Sequence, residues 1–150
     1  MNVLAIEPYY SGSHRSFLDA VSSRSRHQWT LLTGPGRHWK WRMRNAPLDF
    51  ARQLATRVVD MGGDSAPLDA VFCSEMLDLP QWRGFLNRPA LLAADLPVDA
   101  ERIMRGVASL PAVTYFHENQ WTYPQSPRAR PDSHYGYTNL LTALASDEVW

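Results

Sequence analysis

Cysteine is nearly missing from this sequence. Its 150 residues hold one, Cys73, which excludes an intramolecular disulfide and any zinc site built from several thiolates. Excess charge of either sign is missing too: Lys plus Arg number 15, and so do Asp plus Glu. A globally basic coat for nucleic acid is thereby excluded, though a local basic patch is not. No apolar run approaches the ~18 residues a membrane span needs. The run Val3-Leu4-Ala5-Ile6 is too short for the core of a secretory signal and has no basic residue before it. The dinucleotide fingerprint G-x-G-x-x-G and the nucleophile elbow G-x-S-x-G are both absent. These absences leave a soluble, cytoplasmic protein as the expectation. What is present is ordinary: 45% of residues are hydrophobic and 20% charged, which argues against wholesale disorder. A chain of this length buries roughly 70% of its unfolded surface, enough for one sizeable domain.

Short apolar runs alternate with helix-period segments. Val3–Ile6 reads as a strand buried on both faces. The turn-rich stretch from Glu7 to His14 leads into a helix with Phe17, Leu18 and Val21 on one face and Ser13 as its cap. Trp29–Leu32 is a second strand, closed by Gly34-Pro35-Gly36. A long loop carrying Arg37 to Arg44 is expected next. It is followed by a helix that has Pro47 in its first turn, an apolar stripe of Phe50, Leu54, Val58 and Met61, and an end at Gly62-Gly63. Asp69–Cys73 and Ala112–Phe116 are further strands; 79–86 and 98–107 are helical candidates. A polar, proline-rich loop runs from Trp121 to Ser133, Leu140, Leu141 and Leu144 mark a last helix, and Glu148-Val149-Trp150 begins another strand. The class is therefore α/β, a Rossmann-like doubly wound parallel sheet. A strand starting at the last residues suggests that the natural protein continues, so residues 1–150 are expected to be an N-terminal domain.

In an open α/β sheet, ligands bind beyond the C-terminal ends of the strands. That rule selects the loops after Ile6, Cys73 and Phe116. In the first, Gly12 and Ser13 open a helix whose N–H groups suit a phosphate, although an ordinary tight turn reads equally well. After Phe116 come His117, Glu118, Asn119 and Gln120 in a row. His117 there suits a general base, a hydrogen-bond partner of a sugar hydroxyl, or a stabiliser of developing charge. Tyr135 and Asn139, at the start of the last helix, are candidates to face the same crevice, the plainer alternative being a helix N-terminus with packed aromatics. The other histidines, His14, His27, His38 and His134, are scattered without ligand spacing relative to His117, so no metal is expected. The most unusual stretch contains Arg37, Lys40, Arg42 and Arg44, with Trp39 and Trp41 between them and no acidic residue. Cations neutralise phosphates and indoles stack on bases, a pairing suited to looped or single-stranded RNA. The plainer alternative is a surface loop with tucked tryptophans and solvated charges.

Four segments together are recognisable. They are Ile6-Glu7-Pro8-Tyr9-Tyr10-Ser11-Gly12-Ser13-His14, Trp39-Lys40-Trp41-Arg42-Met43-Arg44, Ser74-Glu75-Met76-Leu77-Asp78-Leu79, and Tyr115 through Pro124 with Tyr135-Gly136-Tyr137-Thr138-Asn139. In combination they resemble the N-terminal half of the tRNA-queuosine alpha-mannosyltransferase family, itself similar to family 4 retaining glycosyltransferases of the GT-B fold. The resemblance implies an acceptor-side domain facing a donor-binding C-terminal domain that lies outside these residues. It implies transfer of mannose from GDP-mannose to queuosine in a tRNA, with retention at the anomeric carbon. No cofactor is implied, the nucleotide-sugar being a co-substrate, and the GT-B fold generally needs no metal.

By position, His117 would sit beside the donor sugar, and Gly12 and Ser13 near the donor diphosphate and the acceptor hydroxyl. Glu118, Asn119, Gln120, Tyr135 and Asn139 would line the same donor and acceptor site. Arg37, Lys40, Trp41, Arg42 and Arg44 would contact the tRNA. Without its second domain the chain is expected not to turn over GDP-mannose. Two other readings stay open: an RNA-binding module without chemistry, and a family 4 glycosyltransferase acting on a lipid or polysaccharide.

Overall fold

The apolar runs do become strands, and their order positions everything else. A computed structural model describes residues 1–60, 67–93, 95–122 and 133–150. In chain order the elements are β1 (Asn2–Tyr10), α1 (Gly12–Arg24), β2 (Gln28–Pro35), α2 (Trp39–Asp60), β3 (Ala70–Ser74), α3 (Leu79–Leu86), a 3₁₀ turn (Pro89–Leu91), α4 (Val98–Ala108), β4 (Ala112–Tyr115), α5 (Ser133–Ala145) and β5 (Glu148–Val149). All five strands are parallel, in the order β2-β1-β3-β4-β5. The chain winds outward from β1 to β2, then returns across β1 to β3 and continues the other way. The reversal falls between β1 and β3, whose C-terminal ends form the switch-point crevice of such sheets.

Side chains alternate across each strand, so one sequence feeds two cores. Leu4, Ile6, Leu32, Val71 and Cys73 point to one face and pack under α2, α3 and α4 with Phe50, Leu54, Trp82 and Met104. Val3, Ala5 and Phe72 point to the other, against Leu18 and Phe17 of α1. Trp82 is fully buried. α3 starts cleanly because the Asp78 carboxylate accepts the Gln81 N–H at 2.9 Å. Arg83 ties the layers together by donating to the Ala145 carbonyl at 2.8 Å and the Leu110 carbonyl at 2.7 Å. Among the described residues, no helix is long and apolar enough to cross a membrane.

Three expectations need correction. The stretch from Glu7 is not simply a turn: β1 continues to Tyr10, with an irregularity in its pairing to β2 between Glu7 and Tyr10. Ser13 does not cap α1. The helix begins at Gly12, Ser11 holds the capping position, and no side chain among the described residues bonds there. The third correction is the largest. From Trp39 onward the expected basic loop is helix, and Pro47 lies deep inside α2 rather than in its first turn. The missing Pro47 N–H leaves the Met43 carbonyl without its helical donor. Met43, Ala46, Pro47, Phe50, Ala51 and Leu54 are all buried along one side, and that packing offsets the loss. His38, at φ 56°, turns the chain into the helix and its carbonyl accepts the Arg42 N–H at 3.0 Å. The expected roles of Met61, Gly62 and Gly63, and of most of the 121–133 loop including Tyr123 and Pro124, lie outside the described residues.

Candidate active site and its cationic flank

The ends of β1 and β2 are locked together. A Cβ at Gly34 would lie 2.4 Å from the Pro8 carbonyl oxygen, and one at Gly36 would lie 2.1 Å from the Ser11 Cβ. Only glycine allows this approach. It fixes the segment from Tyr9 to Ser13 over the switch point.

Two buried carboxylates flank one imidazole there. Glu7, in the C-terminal half of β1, is 3% exposed, and Glu75, just after β3, is 0% exposed. His14, in the first turn of α1, places Nδ1 3.1 Å from the Glu7 Oε2 and Nε2 3.8 Å from the Glu75 Oε1. The other Glu7 oxygen accepts the Tyr9 N–H at 2.8 Å. Glu75 Oε2 accepts the His117 backbone N–H at 3.3 Å, while its Oε1 has no hydrogen-bond partner among the described residues. Burial pushes the Glu75 carboxyl up to about 7, against the pull of His14. For His14, burial opposes the charged form, but the Glu7 hydrogen bond and the charges of Glu7, Glu75 and Glu118 outweigh it and hold the ring above its ordinary value.

His117 emerges from β4 and lays its ring 4.0 Å from that of His14, 4.6 Å from Tyr115 and 5.6 Å from Phe17 (centroid distances). Burial and the neighbouring His14 lower its pKa to about 4. The ring is therefore neutral near pH 7, with one nitrogen to donate and one to accept.

Above the cluster lies a cleft of about 240 Å³ lined by Tyr9, Ser11, Gly12, Ser13, His14, Trp39, Met76 and Glu118. Gly12 (φ 52°) and Ser13 are exposed at the uncapped start of α1, where helix N–H groups carry partial positive charge. Glu118 reaches the cleft and accepts from Gln120 Nε2 at 3.0 Å. Gln120 and Asn139 are buried pins. The Gln120 N–H donates to Asn139 Oδ1, and Asn139 Nδ2 donates to the Glu75 carbonyl, both at 3.0 Å. Asn119 stays exposed, and its side chain accepts the Trp121 N–H at 2.8 Å.

The cationic segment occupies the same rim. Arg37 is exposed ahead of α2, and Trp39 to Arg44 form the helix's first turns. Trp39 meets Tyr135 at 5.1 Å. The Lys40 ammonium lies 5.4 Å from the Trp39 ring and 5.5 Å from that of Tyr135, and the Arg44 guanidinium lies 5.6 Å from Tyr135. Trp41 is 60% exposed, and Arg42 is half-buried. Tyr135 is buried against Met43 and Met76. His38, Trp39, Lys40, Trp41, Arg44 and Tyr135 border a cleft of about 530 Å³ that shares Trp39 as a wall with the smaller one.

The structure thus gathers the expected residues at one end of the sheet, with His117 joined to the smaller cleft through His14. Sequence reasoning treated His14 as scattered and gave Glu7 and Glu75 no role; these three build the cluster. The available signal was an acidic residue at the end of each of two apolar runs, β1 and β3. Among the described residues, no set of His, Cys, Asp or Glu is arranged to hold a metal ion.

The family described as tRNA-queuosine alpha-mannosyltransferase N-terminal matches residues 2–150. A curated relative, the tRNA-queuosine alpha-mannosyltransferase of Drosophila melanogaster, is 32% identical over 149 residues, covering 99% of this chain and 33% of the relative. The chain thus spans about a third of that relative's length. No solved structure matches.

Proposed function

This chain belongs to the tRNA-queuosine alpha-mannosyltransferase N-terminal family, and from that premise we propose that it is the acceptor-side domain of a retaining, GT-B-type enzyme moving mannose from GDP-mannose to queuosine in tRNA. In the reaction an acceptor hydroxyl oxygen forms a bond to the anomeric carbon. The bond from that carbon to the diphosphate oxygen breaks on the same face, and the hydroxyl proton leaves with the diphosphate.

One observation carries the reading: an exposed cation-and-indole turn and a buried Glu–His cluster share the wall formed by Trp39. The first suits a polyanion with accessible bases, the second a polar hydroxyl-bearing substrate. His117, kept neutral, supplies a hydrogen bond to a donor-sugar hydroxyl or to oxygen gaining charge. The Gly12 and Ser13 N–H groups face the diphosphate or the acceptor hydroxyl. Glu118 and Asn119 sit beside the acceptor, while Gln120, Tyr135 and Asn139 hold the walls. Arg37, Lys40, Trp41, Arg42 and Arg44 grip the anticodon arm. The nucleotide of the donor binds chiefly to the remainder of the enzyme, and these 150 residues alone do not transfer mannose.

The test uses the full-length protein. It should bind a tRNA anticodon stem-loop with an affinity that falls steeply with salt, and transfer mannose to queuosine-containing tRNA. Binding that is indifferent to salt, or mannose transfer to a lipid or polysaccharide instead, would sink the reading.

A further inference from the structure

The cationic flank carries more than charge. Three concavities follow one another along the start of α2. The 530 Å³ cleft shares Arg44 with a cleft of about 410 Å³ that reaches His134 and Gln81, and shares Trp39 with the 240 Å³ cleft above the Glu–His cluster. Trp39 and Arg44 are five helical residues apart, so their Cα atoms are separated by only ~7.5 Å along the helix axis. A phosphate-binding groove has no need of aromatic walls, yet Trp39, Trp41 and Tyr135 all line the middle cleft. Its volume falls in the range of small-ligand pockets and accommodates a purine.

Resting on the function proposed above, we propose that this middle cleft is a subsite for one unpaired nucleobase. The base leaves its stack, lies against Trp39 and Tyr135, and passes its substituent across Trp39 into the 240 Å³ cleft. Chemistry on a base demands such extrusion, because its reactive groups are inaccessible within a stack. The ammonium of Lys40 now lies over both rings. A base stacking there takes the ammonium's place on the two rings. Arg44 then grips the backbone on the far side. Trp39 thereby selects where the nucleoside points, whereas the cations set how tightly the RNA is held.

The experiment cross-links the full-length protein to an anticodon stem-loop carrying photoactivatable 6-thioguanosine in place of the queuosine nucleotide. At saturating protein, the cross-link should map to the peptide holding Trp39 or to that holding Tyr135. Moving the probe one nucleotide along should lower the yield about tenfold. Trp39→Ala should weaken binding about fivefold or more without changing its salt slope, as befits a lost stacking surface. It should also cut the yield per bound RNA about tenfold, while Trp39→Phe keeps most of it. A wild-type cross-link elsewhere, or an unchanged yield in Trp39→Ala, overturns the subsite and leaves the tRNA reading standing. Failure of the wild-type protein to bind the stem-loop overturns both. Because the wild-type map decides on its own, a variant that fails to fold does not blunt the test.

Discussion

The Glu7–His14–Glu75–His117 cluster and the Trp39–Arg44 turn sit side by side yet obey different physics. In the cluster, burial lets each charge be felt by its neighbours: Glu75 is pushed up to about 7 and the partly buried His117 down to about 4. On the turn, Lys40, Arg44 and Trp41 face solvent, where charge acts through long-range attraction and is screened by salt. The lesson is a division of labour. Burial tunes the protonation of a few groups, and exposure leaves charges and rings open to a partner. Changes in the first region should alter rate and stability, and changes in the second should alter affinity and its ionic-strength dependence.

The sharpest way to break this comparison is His117→Ala. Mannose transfer by the full-length enzyme should fall about a hundredfold or more, in the range of lost acid–base or charge-stabilising groups, while stem-loop affinity changes less than about twofold. A parallel loss of affinity in a binding assay would erase the distinction between the regions.

Next in size is Glu75→Ala. It leaves the His117 N–H without its acceptor and a cavity beside His14, a loss worth about 3 kcal/mol. Thermal melting should drop by roughly 10 °C. Glu75→Gln sharpens the point through pH. The folded protein holds the Glu75 proton up to about pH 7, above the ordinary value of 4.5. Its contribution to stability is therefore complete below pH 4.5 and is lost as pH rises through 7. His117 works in the opposite sense: its contribution is present above 6.5 and is lost as pH falls through about 4. Melting curves of Glu75→Gln between pH 4.5 and 7.5 should lack the fall attributable to the carboxyl; retention of the wild-type profile would contradict it.

On the exposed side, Arg42→Ala with Arg44→Ala should weaken stem-loop binding about tenfold in moderate salt. The slope of log affinity against log salt should decrease by roughly 1.4, as expected when two contacts to single-stranded phosphate are lost. An unchanged slope would remove these arginines from the interface. The smallest effect is expected from Arg37→Ala, ahead of the helix, at about twofold with near-wild-type melting, since it removes one exposed charge.

Much of the fold was readable because a strand buried on both faces must be a continuous apolar run. Val3–Ile6, Val71–Cys73 and Ala112–Thr114 could hardly be anything else. The start of α2 was hidden for a physical reason. The 37–44 run adds only Trp39 and Met43 to the apolar stripe of α2, and it lies between a Gly-Pro-Gly turn and Pro47, two ordinary signs of helix interruption; tertiary packing of Met43, Ala46 and Pro47 overrides both. The placement of His117 followed from the rule about strand ends. Its partners did not, because Glu7, His14 and Glu75 meet only once the sheet order sets β1 beside β3. Asn139 looked available for a ligand from its place on α5, but it is spent on the Gln120 N–H and the Glu75 carbonyl.

The packing of Gly36 against Ser11 also limits what can vary around the rim. A single methyl group at position 36 would push on Ser11 and so tilt the opening of α1, moving His14 from a distance without altering any residue of the cluster. The exposed positions of the cationic turn have room for another side chain, whereas the joint it hangs from has no spare room.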